Sequence, residues 1–107
     1  MPAYLLQGSY TGNAAKGLGQ EGGSSRAEMV KSVITGVGGT LTSPIYYGFG
    51  EGVDIIVTVD LPSSAAAVAL TLITAPGGVS VKTTCLMDPS DIDEASELLP
   101  NYRAPGQ

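Results

Sequence analysis

The residues of this chain that can do chemistry are few and of restricted kinds. Histidine is absent and Cys85 is the only cysteine. A Cys/His zinc site, a His-ligated haem, a Ser-His-Asp triad and an intrachain disulfide are therefore excluded by composition, and no cofactor or metal is expected. Proton transfer would fall to carboxylate, lysine or phenol. The stretch YYGFGEGVDIIVTVDLP, Tyr46 to Pro62, sets two tyrosines ahead of three glycines and places Asp54 at the head of an apolar run. A carboxylate shielded from water there would hold its proton more tightly and could act as a general base near neutral pH, with Tyr46 as its phenol partner. The same residue also fits a solvated turn carboxylate beside a glycine loop. Ser9, Tyr10, Lys82 and Thr84 are the candidates to hold a ligand, Lys82 for an anionic or carbonyl group and the hydroxyls as hydrogen-bonding groups. An edge-strand lysine that blocks sheet-to-sheet aggregation also accounts for Lys82. Cys85 lacks a histidine partner and reads as a small core residue. Arg26, in the positive first turn of a helix, needs an anion or carboxylate opposite it, such as Glu28 or a group of a partner subunit.

The elements that must position these residues follow from local patterning. Alternation predicts a strand over 3–10, after which the glycine-rich TGNAAKGLGQEGG reads as a loop or a frayed helix start. Within it, residues 17–22 match G-x-G-x-x-G. Gly17 lies seven positions beyond Tyr10 rather than in a strand-to-helix turn, so 17–23 reads as a mobile segment or lid and no nucleotide is expected. Ser25 with Glu28 forms a capping-box pattern, and Val30, Val33, Ile34 and Val37 recur at helical spacing before Gly38-Gly39 stops the helix. A second strand is expected over 40–47 and a third over 53–60. In the third, Val53, Ile55, Val57 and Val59 share one face, and Asp54, Ile56, Thr58 and Asp60 the other. Ser63 caps a helix to about Thr74, a fourth strand runs over 79–87, and DPSDIDEASELL forms a short helix capped by Ser90 or Asp91, with 100–107 frayed.

This order, βαββαβ, predicts an α+β chain of ferredoxin-like topology: one domain over 1–107 with its core in 3–95, a four-stranded antiparallel sheet and two helices on one face. The opposite face bears Ile56 and Leu86 and needs a cover, for which a second subunit is the simplest candidate, making the chain a homodimer. Strict alternation sends Asp54 to that face and into an intersubunit cavity; a one-residue bulge at the glycines before it would reverse the assignment. With 5 basic against 10 acidic residues, the chain lacks the electrostatic footprint of a nucleic-acid partner. No apolar run approaches the length of a membrane span, and the N-terminus has no basic leader pattern, so a soluble cytoplasmic protein is expected.

The segments SYTGNAAKGL, Arg26, GVGGTL and GEGVDIIVTVDLP resemble their counterparts in the GYD-domain family, small bacterial proteins similar to dimeric α/β barrels. The resemblance spans residues 3 to about 95. Gly50 or Gly52 stands for the motif glycine and Asp54 matches the aspartate, whereas Val53 occupies the place of the tyrosine. What the resemblance implies is a fold and a dimer more than a chemistry. Two functions fit the residues: binding of a small organic ligand in an intersubunit cavity, or a cofactor-free enzyme, a monooxygenase or isomerase, that uses Asp54 and a tyrosine.

Overall fold

The computed structural model describes residues 2–107. Strand β1 (Ala3–Tyr10) is followed by helices α1 (Gly12–Glu21) and α2 (Gly23–Gly36), then by the short strands β2 (Thr40–Leu41) and β3 (Tyr46–Tyr47). Strand β4 (Ile55–Asp60), helix α3 (Ser64–Thr74), strand β5 (Val79–Leu86) and helix α4 (Pro89–Ser96) complete the chain. Among the described residues the result is an α+β fold with an antiparallel sheet and four α-helices. Its strand order is β2-β4-β1-β5, with β3 also paired to β4.

Period-two alternation decides which side of the sheet is covered. Tyr4 and Leu6 of β1 and Ile55, Val57 and Val59 of β4 are buried. Ile34 of α2 and Ala66 and Leu70 of α3 pack on the same side and join this core. Val30, Val33 and Val37 flank Ile34 at the expected helical spacing. The alanines of α3 keep its backbone near the sheet, and Ser63 caps its first turn as expected, its Oγ accepting from the Ala66 N–H at 3.2 Å.

Four local expectations are corrected. Residues 12–21, read as a loop or a frayed helix start, form a regular helix: the Thr11 Oγ1 accepts from the Ala14 N–H at 3.2 Å and the Thr11 N–H donates to the Gly78 carbonyl at 2.9 Å. Each internal glycine costs roughly 1 kcal/mol against alanine in a helix, so this cap and the packing of α1 on its neighbours outweigh local propensity. Gly78 itself has φ +88°, and a Cβ there would stand 2.5 Å from the Thr11 Oγ1, so glycine is required for α1 to start where it does. Second, α2 begins at Gly23, two residues before the expected Ser25 cap, and the Ser25 Oγ reaches back to Glu21 at 3.4 Å instead. Third, the strand expected over 40–47 is split. Pro44 has no N–H to give the ladder, and the Ser43 Oγ replaces a backbone carbonyl as acceptor of the Thr58 N–H at 2.9 Å. Fourth, α4 starts after Asp88, whose N–H donates to the Asp91 carboxylate at 2.9 Å, so neither Ser90 nor Asp91 is the cap.

Cys85 is also corrected: it is exposed, not a core residue. It lies opposite Tyr4 near the far end of β5, an edge strand with a neighbour on one side only, and no helix covers that end. From Thr84 to Gln107 every residue is exposed. The radius of gyration is 17.1 Å, where a compact domain of this length would have about 13 Å. The C-terminal arm therefore projects from the sandwich instead of folding back on it.

Candidate functional site

The GEGVD segment is tied to the end of β1 by three consecutive residues. The Asp54 N–H donates to the Gly8 carbonyl at 2.8 Å, the Ser9 hydroxyl donates to the Gly52 carbonyl, and the Tyr10 N–H donates to the Asp54 Oδ2 at 2.7 Å. Gly8 is the register partner of Ile55, not of Asp54. The Asp54 carbonyl meanwhile accepts from the Gly48 N–H at 3.1 Å, on the side of β3. In a regular strand the N–H and C=O of one residue point the same way; here they point to opposite neighbours, the signature of a β-bulge. The alternation of β4 therefore stops at Ile55 and does not extend to Asp54, whose half-buried carboxylate is aimed at the β1 backbone.

Tyr10 is the last residue of β1 and lies on the helix-covered side, where it meets Arg26 from the first turn of α2. The two border a cleft of about 70 Å³ between the helices and the sheet. Leu6, Val30, Val33, Val57 and Leu70 supply much of its apolar wall. Gly8 forms part of its floor: a Cβ there would come 2.6 Å from the Ile55 Cγ2, so only glycine lets the Ile55 side chain pack this close to β1. A second cavity, of about 320 Å³, lies beside it against α1, and Tyr10 and Arg26 line that one too. The pair thus stands where an apolar space meets a more polar one.

The electrostatics of the mouth follow from burial and the neighbouring charges. Desolvation pushes the Tyr10 phenol above its ordinary pKa; the positive charge of the Arg26 guanidinium beside it pulls the other way, and the Asp54 and Glu21 carboxylates add to the rise. Tyr47 is raised as well, first by desolvation and then by Tyr10. Both phenols therefore stay protonated at neutral pH and serve as hydrogen-bond donors rather than bases. The Tyr47 hydroxyl already spends its proton on the Gly23 carbonyl at 2.9 Å, fixing the start of α2 above the sheet.

The residues singled out by sequence divide between two places. Asp54 and Tyr10 meet at the end of β1. Tyr46 pairs with Ile56 and is 60% exposed on the open face of the sheet. Lys82 lies across from Gln7 and Thr84 across from Leu5, both on that same open face and both exposed. Ser9 also belongs to that alternation but is engaged with Gly52. Tyr10 follows Ser9 along one strand and so points to the opposite side; it does not join Lys82 and Thr84. Sequence reasoning missed Gly8 as part of this end of the molecule; Tyr47, read with Tyr10 and Tyr46 as a phenol donor to a ligand, donates to the Gly23 carbonyl instead. Arg26 carried a signal, an unfavourable cation in a first turn, but not its location. The segment 17–22 is not a strand-to-helix turn: Gly17 and Gly19 lie within α1 and Gly22 joins α1 to α2.

Among the described residues no group of three His, Cys, Asp or Glu side chains is placed to hold a metal ion, and no helix is long and apolar enough to cross a membrane. No curated protein and no solved structure matches the chain. The GYD domain matches residues 4–96. That stretch contains all of the sheet but Ala3, the bulge at Asp54 and the Tyr10–Arg26 cleft, and on this ground the chain belongs to the GYD domain family.

Proposed function

We propose that this protein is a homodimeric binding protein for a small organic ligand, and that the ligand enters the cleft between the helices and the sheet of each subunit. The observation that carries this reading is the apolar cleft with Tyr10 and Arg26 at its mouth. Apolar walls with a few convergent polar groups are the usual form of a small-molecule site. Asp54 acts through the backbone in this reading: by holding the Tyr10 N–H it sets where the phenol stands.

The dimer is supported by what one chain leaves uncovered. Ile56 and Leu86 lie on the open face with Leu5 and Tyr46, and the C-terminal arm exposes Ile92, Leu98, Leu99 and Tyr102. Apolar surface of this extent marks an interface. Two ferredoxin-like units joined through their open sheet faces would make a dimeric α/β barrel, with one cleft on the outer side of each sheet.

The test is a methyl NMR screen of the full chain against small organic fragments. Binding in the cleft is expected to perturb the methyls of Val30, Val57 and Leu70. Perturbation confined to Ile56 and Leu86 and to amides near Lys82 would place the site between subunits and overturn its assignment to the cleft.

A further inference from the structure

Resting on the reading of the cleft as the binding site, we infer that its ligand is a short branched-chain monocarboxylate, with the carboxylate held by Arg26 and the Tyr10 hydroxyl and the alkyl group in the cleft. The first ground is the state of Arg26. It is half-buried and forms no ion pair among the described residues. The nearby carboxylates are turned to other donors: Asp54 accepts from the Tyr10 N–H at 2.7 Å and Glu21 faces the Ser25 hydroxyl at 3.4 Å. A partly desolvated guanidinium with donors to spare is matched by a planar two-oxygen anion, to which it binds through two parallel hydrogen bonds. Tyr10 lines the same cleft as Arg26, so its hydroxyl can donate to the same anion.

The walls dictate the rest of the molecule. Of the side chains lining the cleft, only Tyr10, Arg26 and Thr74 carry polar atoms, and the Thr74 hydroxyl is spent on the Leu70 carbonyl at 2.8 Å. A polar tail would find no partner and would lose its hydration. The volume of about 70 Å³ is roughly half that of a cavity of about 150 Å³ known to hold a benzene ring. It suits an isopropyl-sized group and excludes an aromatic ring from the inner space. The charge is bounded too: Asp54 and Glu21 are close enough to act on Tyr10, and their field opposes a dianion such as phosphate while a single negative charge is balanced by Arg26.

The experiment titrates isovalerate, its neutral analogue isovaleramide, and phenylacetate into the full-length protein, following the methyls of Val30, Val57 and Leu70. Isovalerate is expected to give saturable shifts, with isovaleramide and phenylacetate each at least tenfold weaker. Arg26→Gln is expected to abolish the preference for acid over amide. Arg26→Lys, which keeps the charge, should retain part of it. Equal saturable binding of isovalerate and isovaleramide, or unchanged isovalerate affinity in Arg26→Gln, overturns the carboxylate assignment and leaves the cleft as a binding site. Absence of cleft shifts with all three compounds overturns the carboxylate assignment, and failure of the wider fragment screen as well would remove the cleft reading with it.

Discussion

The carboxylate of Asp54 accepts the backbone N–H of Tyr10 at 2.7 Å, across 44 positions of sequence. This bond closes a bulge at the head of β4 onto the last residue of β1. It makes Asp54 a fastener of the strand ends.

Asp54→Ala should therefore be destabilising, by about 1–3 kcal/mol, because it removes a charge-assisted acceptor from a partly buried N–H. Urea unfolding measures the loss. Hydrogen exchange should accelerate at the Tyr10 amide more than at Leu6, deeper in the same strand. Unchanged protection at Tyr10 would show that the bond does not form in solution.

The raised pKa of Tyr10 gives a pH dependence confined to the alkaline side. The folded protein holds the phenol proton more tightly than the unfolded chain, whose tyrosine titrates near about 10. The stabilisation is thus fully present below about pH 10 and is lost as pH rises through the higher folded value. Ultraviolet difference titration should show a phenol ionising later than free tyrosine, and Tyr10→Phe should remove that component and flatten the alkaline fall in melting temperature.

Gly8→Ala tests the cleft from its floor. The added methyl would meet the Ile55 Cγ2 at 2.6 Å, and overpacking of this kind costs about 1–3 kcal/mol. The variant is expected to fold with a lower melting temperature and to lose the fragment-induced shifts of Val57 and Leu70. Retained shifts would place the ligand elsewhere.

For assembly, Ile56→Lys is expected to convert the dimer to a monomer, read by light scattering at micromolar concentration. Ile56 lies on the open face, outside the buried core, so circular dichroism should remain that of the folded chain. A wild-type protein that is monomeric at that concentration would overturn the proposed dimer.

Ile34→Ala should be a severe core lesion. The side chain is 2% exposed between the helix layer and the sheet, and truncations of this type cost about 2–5 kcal/mol. Leu98→Ala, in the exposed arm, should leave the stability of the isolated domain within about 0.5 kcal/mol. Its effect, where there is one, should appear in the oligomeric state.

Local chemistry made much of the fold legible in the residues themselves. The valines of α2 recur every three or four positions, Ser63 has a side chain that suits an N-cap ahead of an alanine run, and Ile55, Val57 and Val59 alternate because a strand has a period of two. These signals span a few residues and need no partner. That Ser9 and Tyr10 must face opposite ways is contained in the same alternation, and it separates Tyr10 from Lys82 and Thr84. The tertiary structure decided what depends on distant groups. Helix α1 exists despite its glycines because Thr11 caps it against Gly78, 67 positions away. The strand over 40–47 breaks because the Ser43 hydroxyl, and not a backbone carbonyl, meets Thr58 of β4. The orientation of Asp54 was decided last of all: in a bulge the N–H and C=O of one residue serve different neighbours, and which neighbours those are is settled only when β1, β3 and β4 come together.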